Sequence, residues 1–188
     1  MKFNNKYQTL FYKWNNQSLE MYKDHVSTGK ILIIGHGLGF EYDLIEKFNK
    51  NLVSIDTYIS KSALHKDKVQ LYSGDIIPFK DDTFDAVICN YVLHHSNNPK
   101  QLFSELVRVS KNIVIITEET HKNVIQKIRS VFNCWNLNRK AGQFVRIRWS
   151  SYLSMQDLQK LIRNLTILKH IKEDRGVHIY EFLILKKD

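Results

Sequence analysis

The chain has 188 residues, of which 43% are hydrophobic and 25% are charged, and it contains two cysteines. Length and composition predict one folded domain and exclude both a disordered chain and a small scaffold held together by disulfides. No apolar run reaches the roughly 20 residues that span a bilayer, and no apolar signal core follows the first six residues, so we expect a cytoplasmic protein without a transmembrane segment.

Positive charge is concentrated in the last third of the chain. The net charge is +9, yet residues 1–120 contain 14 basic and 14 acidic residues, whereas residues 121–188 contain 14 basic and 5 acidic residues. A one-sided excess favours anionic partners, such as nucleic acid, phosphorylated metabolites or an acidic membrane face. A basic surface without any specific partner explains the same charge equally well.

In chain order, the hydrophobic pattern predicts helices that alternate with strands. One or two helices are expected over 7–26, a strand over 30–34 and a helix over about 40–49. Further strands are predicted at 52–56, 69–72, 84–90 and 112–117, with a short helix or loop over 58–66 and a helix from Asn98-Pro99 to about Val109. This alternation indicates right-handed crossovers and a doubly wound parallel sheet.

The end of the chain departs from the alternation. After a helix at about 154–163, two apolar runs over 165–171 and 177–185 are joined by residues 172–176, which is typical of a short antiparallel hairpin. We therefore predict an α/β fold with a doubly wound, seven-stranded, Rossmann-like sheet, a C-terminal antiparallel hairpin and helices on both faces.

The junction between the first strand and the next helix carries the strongest functional signal. Ile31-Leu32-Ile33-Ile34 is followed by Gly35-His36-Gly37-Leu38-Gly39. Glycines there let the backbone turn and approach a ligand, and the following helix directs its free N–H groups at that ligand. A tight turn without a ligand is the alternative. The third glycine of the dinucleotide fingerprint would fall at Phe40, which disfavours a nicotinamide cofactor.

Acidic residues follow the next two strands. Asp56 closes the second strand at the position where a carboxylate accepts hydrogen bonds from both ribose hydroxyls. Asp75 follows the third strand, where an acid or its backbone could bind an adenine amino group. Each acid alone could equally be a turn or cap residue. Together with the glycine loop they predict an adenosine site at one edge of the sheet.

These residues, with Gly74-Asp75-x-x-Pro78-Phe79, Asp81–Asp85 and Asn90-Tyr91-Val92-Leu93-His94-His95, resemble the class I S-adenosylmethionine-dependent methyltransferases over roughly 29–120. The small-molecule subgroup of ubiquinone and menaquinone biosynthesis is the most similar. The resemblance implies S-adenosylmethionine as cofactor, a glycine loop whose backbone passes close to it, Asp56 on the ribose, and Asn90 and Tyr91 near the methyl group. The remaining implied cofactor contacts are His36 and Leu38 lining the pocket, Thr57 beside the adenine, and Asp75 and Ile76 on the adenine.

One position departs from the family pattern. The family usually has an acidic residue two positions before the first glycine, where this chain has Ile33. That acid normally helps to anchor the methionyl end of the cofactor. Either Glu41 or another acid replaces it, or cofactor affinity is weak, or the protein no longer transfers methyl groups. Loss of one charge-assisted hydrogen bond would weaken binding about ten- to a hundredfold.

Two groups of residues are weak candidates for catalysis. His94 and His95 follow the fourth strand, and a neutral imidazole there could remove a proton from the acceptor. Packing histidines are the more common explanation of such a pair. Glu118, Glu119 and His121 follow the predicted fifth strand and could face the acceptor or belong to a solvated loop. No metal site is predicted.

The basic segment 121–153 is predicted to form a substrate lid, between a cap over 1–28, the cofactor-binding core over 29–120 and a final helix and hairpin over 154–188. In 144–149, Val145, Ile147 and Trp149 alternate with Arg146 and Arg148, which predicts an extended strand with one cationic face. Arg139, Arg146 and Arg148 could hold an anionic group, with Trp149 as a pocket wall. A solvated edge with its tryptophans in the core is the alternative.

The sequence therefore favours methyl transfer to an oxygen or nitrogen atom of a small, anionic acceptor. Methylation of RNA or protein docked on the basic tail is a second hypothesis. A non-catalytic cofactor-binding protein is a third, and a nucleotide-sugar or nicotinamide enzyme is the weakest. Methylation of an exocyclic base amine is disfavoured because Asn90-Tyr91-Val92-Leu93 lacks the Pro-Pro-aromatic run. Attack on a pyrimidine ring is disfavoured because Cys89 is expected to be buried and inert.

Overall fold

The computed structural model describes residues 5–74, 76–174 and 179–187. Its strands are β1 (Ile31–Ile34), β2 (Leu52–Asp56), β3 (Val69–Leu71), β4 (Phe84–Asn90), β5 (Ser110–Thr120), β6 (Thr166–Asp174) and β7 (Ile179–Lys186). Its helices are α1 (Lys6–Val26), α2 (Phe40–Glu46), α3 (Pro99–Val109), α4 (Val124–Ala141) and α5 (Met155–Ile162). The strands form one seven-stranded sheet in the order β3-β2-β1-β4-β5-β7-β6, which confirms the predicted fold class.

Strand β1 lies at the point where the connections change direction. It pairs in parallel with β2 on one side and with β4 on the other. In such sheets a crevice opens outside the carboxyl ends of the two central strands. The hairpin of β6 and β7 adds an antiparallel edge, with β7 paired against β5. The topology therefore places the glycine loop after β1 and the residues after β4 at the same edge.

Alternate residues of β1 supply the cores on the two faces of the sheet. Leu32 and Ile34 pack in the core that includes α3 and α5 residues, while Ile31 and Ile33 pack against α1 and α2. Ile33, the residue at the family's acidic position, is almost completely buried. Full burial of an isoleucine side chain contributes about 1.5–3 kcal/mol, so a carboxylate at this position would destabilise the fold.

Capping residues fix where the helices begin. Asn98 accepts a hydrogen bond from the Gln101 N–H at 3.2 Å and precedes Pro99, so α3 begins as predicted. Ser154 and Asp157 cap α5 reciprocally. Helix α2 begins after Gly39, whose φ of 77° lies in the left-handed region that a side chain disfavours.

The ends of α1 and α4 are joined by side-chain hydrogen bonds. Asn5 Nδ2 donates to the Lys140 carbonyl and Gln8 Nε2 donates to the Ala141 carbonyl, both at 3.0 Å. These carbonyls belong to the last turn of α4, which lacks intrahelical partners for them. We call this pair of helices the α1–α4 roof. The predicted N-terminal helical region is thus one helix, Lys6–Val26.

The structure corrects three predictions in the second half of the chain. Helix α4 was not predicted, because five of its apolar residues are exposed and obscure the helical pattern: Val124, Ile125, Ile128, Phe132 and Trp135. Residues 143–148 form no strand. Pairing with β7 extends β5 to Thr120, so Glu118 and Glu119 are buried strand residues and not part of a loop.

The predicted hairpin connection at 172–176 is only partly described. Residues Lys172 to Asp174 still belong to β6, and residues 175–178 lie outside the described residues. Within the described part of the chain, no helix is long and apolar enough to cross a membrane.

Candidate functional site

A cavity of about 640 Å³ opens at the carboxyl ends of β1, β2 and β4. This volume lies within the range of small-molecule and cofactor sites. The glycine loop and the end of β2 line one side, while α1 and α4 cover it with the following residues: Phe11, Trp14, Ser18, Asn133, Cys134, Leu137 and Asn138. The α1–α4 roof therefore covers a cavity at the edge where the sequence predicts an adenosine site.

The glycine loop is held tightly against the sheet. Gly35 has a φ of 80°, and a Cβ atom there would lie 2.3 Å from Val92 Cγ2, so no larger residue fits. His36 is buried, with Nδ1 2.9 Å from Ser54 Oγ and Nε2 2.8 Å from the Leu64 carbonyl. Burial lowers the pKa of His36. Its side chain thus fixes the loop, and the loop backbone faces the cavity.

Asp56 joins the glycine loop to the end of β2. Its Oδ2 accepts a hydrogen bond from Gly37 N at 3.0 Å. Its Oδ1 accepts from Thr57 N at 2.7 Å and from Tyr58 N at 3.2 Å. Asp56 and Thr57 both line the cavity. The carboxylate therefore lies on the cavity wall beside the loop, at the position that the sequence assigned to a ribose contact.

A buried acid lies behind the glycine loop. Glu41, in the first turn of α2, accepts hydrogen bonds from the Tyr22 hydroxyl and from Asn90 Nδ2, the latter at 2.5 Å. Burial raises the pKa of Glu41, although both hydrogen bonds oppose that rise. Glu41 and Asn90 line the cavity, and Asn90 Oδ1 is buried without a hydrogen-bond partner. An acid and an unsatisfied acceptor thus face the space next to Gly35, which suits a cationic group.

The other predicted cofactor residues lie in three different environments. Tyr91 lines the cavity and has a φ of 59°, which is an uncommon backbone conformation. A hydrogen bond from its N–H to the Thr117 carbonyl, at 2.7 Å, helps to hold that conformation. Gly39 lies behind the loop, where a Cβ would lie 2.6 Å from the Leu64 carbonyl oxygen. Ile76 is 61% exposed and is not among the cavity residues, and Asp75 lies outside the described residues.

The two candidate histidines belong to a buried polar cluster. His94 Nδ1 contacts the Glu118 carboxylate, and Cys134 Sγ lies 3.6 Å from His94 Nε2 and 3.5 Å from His95 Nε2. Burial disfavours the charged form of His94, but Glu118 and Cys134 together raise the His94 pKa well above its ordinary value. Burial and the neighbouring His94 lower the pKa of His95 to about 3. The sequence placed both histidines near the acceptor but gave no sign of Cys134.

Of the basic residues proposed for the acceptor, only Arg146 lines the cavity. Arg139 lies over the Trp135 ring at 5.3 Å, and the Trp149 ring is covered by Lys127 at 4.9 Å. Arg148 is half-buried and its Nε lacks a hydrogen-bond partner.

The three candidates at the end of β5, which are Glu118, Glu119 and His121, do not face the same space. Glu119 lines the main cavity, whereas Glu118 lies behind His94. His121 bridges to Ser154 and lines a second, smaller cavity, so it does not face the same space.

Comparison with known sequences agrees with this geometry. The profile of the family described as "Methyltransferase domain" matches residues 32–116, which contain the glycine loop, Asp56 and Asn90. Residues 32–116 thus resemble a methyltransferase domain. An uncharacterised protein of Methanocaldococcus jannaschii is 33% identical to this chain over 115 residues, which are 56% of this chain and 55% of that protein. The chain thus spans about half the length of the curated relatives that it matches first.

Solved structures show the same fold as this chain. The PH0226 protein of Pyrococcus horikoshii is similar with a TM-score of 0.68 and 18% identity, over 98% of this chain and 93% of that one. A SAM-dependent methyltransferase of Aquifex aeolicus is similar with a TM-score of 0.60 and 14% identity, over 91% of this chain and 88% of that one.

The cavity suits the family's cofactor. The backbone at Gly35 and Gly37 has φ values of 80° and 56°, in the left-handed region that side chains disfavour, so the loop presents its backbone to the cavity without Cβ atoms. Glu41 and the free Asn90 Oδ1 are acceptors suited to the ammonium group of the methionyl end, and Asp56 is suited to the ribose. Sequence analysis missed the contribution of α1 to this wall, because nothing in the periodicity of α1 distinguishes a cavity wall from an ordinary packing face.

Proposed function

We propose that this chain transfers the methyl group of S-adenosylmethionine to an oxygen or nitrogen atom of a small, anionic acceptor. The observation that carries the proposal is one cavity that is lined by the glycine loop, Asp56 and Asn90 and also by Arg146. A methyl donor and an acceptor must share one enclosed space for direct transfer.

The residues on the cofactor side have distinct tasks. The backbone at Gly35 and Gly37 allows close approach, Asp56 binds the ribose hydroxyls, and Glu41 with Asn90 binds the ammonium group of the methionyl end. S-adenosylmethionine supplies an already activated methyl group, so the protein needs chiefly to position the two reactants and exclude water. Burial of Glu41 and enclosure by the α1–α4 roof serve that exclusion.

The part of the cavity proposed for the acceptor contains one arginine, one tyrosine and one glutamate. Arg146 is exposed at the cavity, where its guanidinium can bind a carboxylate or phosphate bidentately. Tyr180 and Glu119 line the same cavity. An anionic group held at Arg146 would orient the acceptor, while Glu119 faces the same space as a hydrogen-bond acceptor.

The first test measures ligand binding and then turnover. Titration calorimetry with S-adenosylmethionine and S-adenosylhomocysteine should give binding of each. Methyl transfer from a labelled cofactor is then measured across panels of carboxylated and phosphorylated hydroxyl or amino compounds. We expect Arg146→Gln to raise the KM of an active anionic acceptor about tenfold or more while cofactor affinity stays unchanged. The exposed Arg163→Gln is the matched control.

Three results would count against the proposal. No heat with either ligand at millimolar concentration would refute cofactor use. Binding without product across the panels would favour the non-catalytic alternative. An active acceptor whose KM ignores Arg146→Gln would refute the acceptor site.

A macromolecular acceptor is the second candidate, favoured by the exposed side of α4. Phe132 and Trp135 are 62% and 44% exposed, and Arg129 and Arg139 lie three and four positions from them, on the same face of the helix. Aromatic and basic side chains together are typical of RNA-binding surfaces. This candidate predicts RNA binding whose affinity falls steeply as the salt concentration rises. The Phe132→Ser variant should also bind RNA more weakly. Affinity that is flat between low and high salt would exclude it.

A further inference from the structure

Three side chains with metal-ligand atoms meet at the cavity wall, and the proposed function leaves their meeting unexplained. His94, His95 and Cys134 each bring one ligand atom within 4.8 Å of the other two. They come from two distant parts of the chain, the turn after β4 and the middle of α4. All three line the main cavity.

The separations match those around a tetrahedral metal ion. Zinc bonds of about 2.3 Å to sulfur and about 2.0–2.1 Å to nitrogen, at a tetrahedral angle, place sulfur and nitrogen about 3.5 Å apart. Cys134 Sγ lies 3.6 Å from His94 Nε2 and 3.5 Å from His95 Nε2. Both sulfur-to-nitrogen distances therefore match a tetrahedral zinc site, and all three ligand atoms lie within 4.8 Å of one another.

Surrounding groups orient each of the three ligand atoms. His95 Nδ1 lies 3.0 Å from the Arg146 carbonyl, which only accepts, so this nitrogen donates and Nε2 keeps its lone pair. His94 Nδ1 contacts the Glu118 carboxylate, and Asn138 Nδ2 donates to Cys134 Sγ at 3.4 Å. A carboxylate or carbonyl behind each histidine is the usual support of a metal site.

We infer that His94, His95 and Cys134 form a binding site for Zn²⁺ whose fourth coordination position opens into the cavity. Zinc binds imidazole and thiolate ligands well, whereas magnesium and calcium bind oxygen ligands, so two imidazoles and one thiolate favour zinc. Three protein ligands with an open fourth position are typical of zinc sites that bind a further molecule. Glu118 Oε2 is buried without a hydrogen-bond partner, which leaves a carboxylate behind His94 to offset the charge of the ion.

The fourth position suggests a substrate class, and this part rests on the proposed function. A hydroxyl of the acceptor that coordinates zinc releases its proton to solvent more readily, because the ion stabilises the resulting anion. The metal site itself does not depend on methyl transfer.

The test uses the purified full chain, stripped with a chelator and titrated with Zn²⁺ or Co²⁺ alone. We expect about one ion per chain, a raised unfolding temperature, and with Co²⁺ a sulfur-to-metal absorption band. Cys134→Ser should abolish that band and weaken binding at least tenfold, and His95→Asn should weaken binding similarly. Cys89→Ala is the matched control, because Cys89 is the other cysteine and is buried in β4. Azide should shift the Co²⁺ spectrum if the fourth position is open.

Each outcome decides one part of the inference. No binding at micromolar metal, or equal binding by Cys134→Ser and the unchanged chain, would overturn the site and leave a hydrogen-bonded cluster. A spectrum insensitive to azide would overturn the open position. Circular dichroism of each variant identifies a loss of metal binding that is caused by unfolding. If Cys134→Ser does not fold, the result for His95→Asn decides. Titration of S-adenosylhomocysteine into the same samples tests cofactor use separately, so either result can fail alone.

Discussion

Replacing Glu41 with glutamine should weaken binding of the amino-acid end of the cofactor and leave binding of its adenosine end unchanged. The substitution keeps the shape and an acceptor for Tyr22 and Asn90, and removes only the buried charge. A hydrogen bond to a charged group is worth about 1.5–3 kcal/mol, so we expect S-adenosylmethionine and S-adenosylhomocysteine to bind about ten- to a hundredfold more weakly. Binding of 5′-methylthioadenosine, which lacks the amino-acid end, should change little.

Calorimetric titration of the three ligands measures this difference directly. The surface variant Glu20→Gln removes the same charge from an exposed position of α1 and should leave all three affinities unchanged. Equal weakening of all three ligands by Glu41→Gln would mean that the whole cavity has rearranged. Unchanged affinity for S-adenosylmethionine would refute Glu41 as the replacement for the acid missing at Ile33.

The same variant should alter the pH dependence of stability. Burial raises the pKa of Glu41 in the folded chain, so the folded state holds this proton at a pH where the unfolded state has lost it. Stability is then lost as pH rises from the ordinary carboxyl pKa to the raised one. Glu41→Gln lacks this loss. In urea unfolding it should be more stable than the unchanged chain near neutrality and equally stable below about pH 4. A difference of the same size at both pH values would contradict the reasoning.

Three further variants test the glycine loop, the β2 acid and a helix cap. Asp56→Asn should weaken all adenosine ligands, including 5′-methylthioadenosine, about tenfold or more, with the exposed Asp24→Asn as control; weakening confined to ligands with the amino-acid end would contradict a ribose contact. Gly35→Ala should cost more than about 1 kcal/mol in urea unfolding, and adding Val92→Ala should restore only the part due to the clash, because the left-handed φ remains; full stability of Gly35→Ala would refute the loop geometry. Asn98→Ala should cost about 1 kcal/mol through the lost cap of α3, and an unchanged unfolding midpoint would show that the cap contributes nothing.

The sequence predicted the sheet well because the central strands are built around apolar runs. β1 is a continuous aliphatic run, β4 contains Ala86-Val87-Ile88-Cys89, and Asn98-Pro99 marks the start of α3. The last third was less predictable. The exposed apolar residues of α4 hide its helical period, and the extension of β5 depends on pairing with β7, a contact between distant parts of the chain.

The sequence indicated local motifs at the strand ends, but it gave no sign of groups that meet only in the fold. The glycine loop, Asp56 and Asn90 lie at strand ends that parallel topology brings together. Cys134 meets His94 and His95 from 40 and 39 residues away, which no local pattern indicates. Arg148 and Trp149 were assigned to an acceptor wall on the assumption of a strand, and without that strand they are not among the cavity residues.

Because the α1–α4 roof covers the cavity, release of an enclosed molecule depends on the contacts that the first residues of α1 make with α4. The hydrogen bonds of Asn5 and Gln8 to α4 connect one helix covering the cavity with the other, so either helix can lift only by pulling on its neighbour. An affinity tag fused ahead of α1 would lie beside these two hydrogen bonds. Rates of product escape are therefore best compared on protein from which such a fusion has been cleaved.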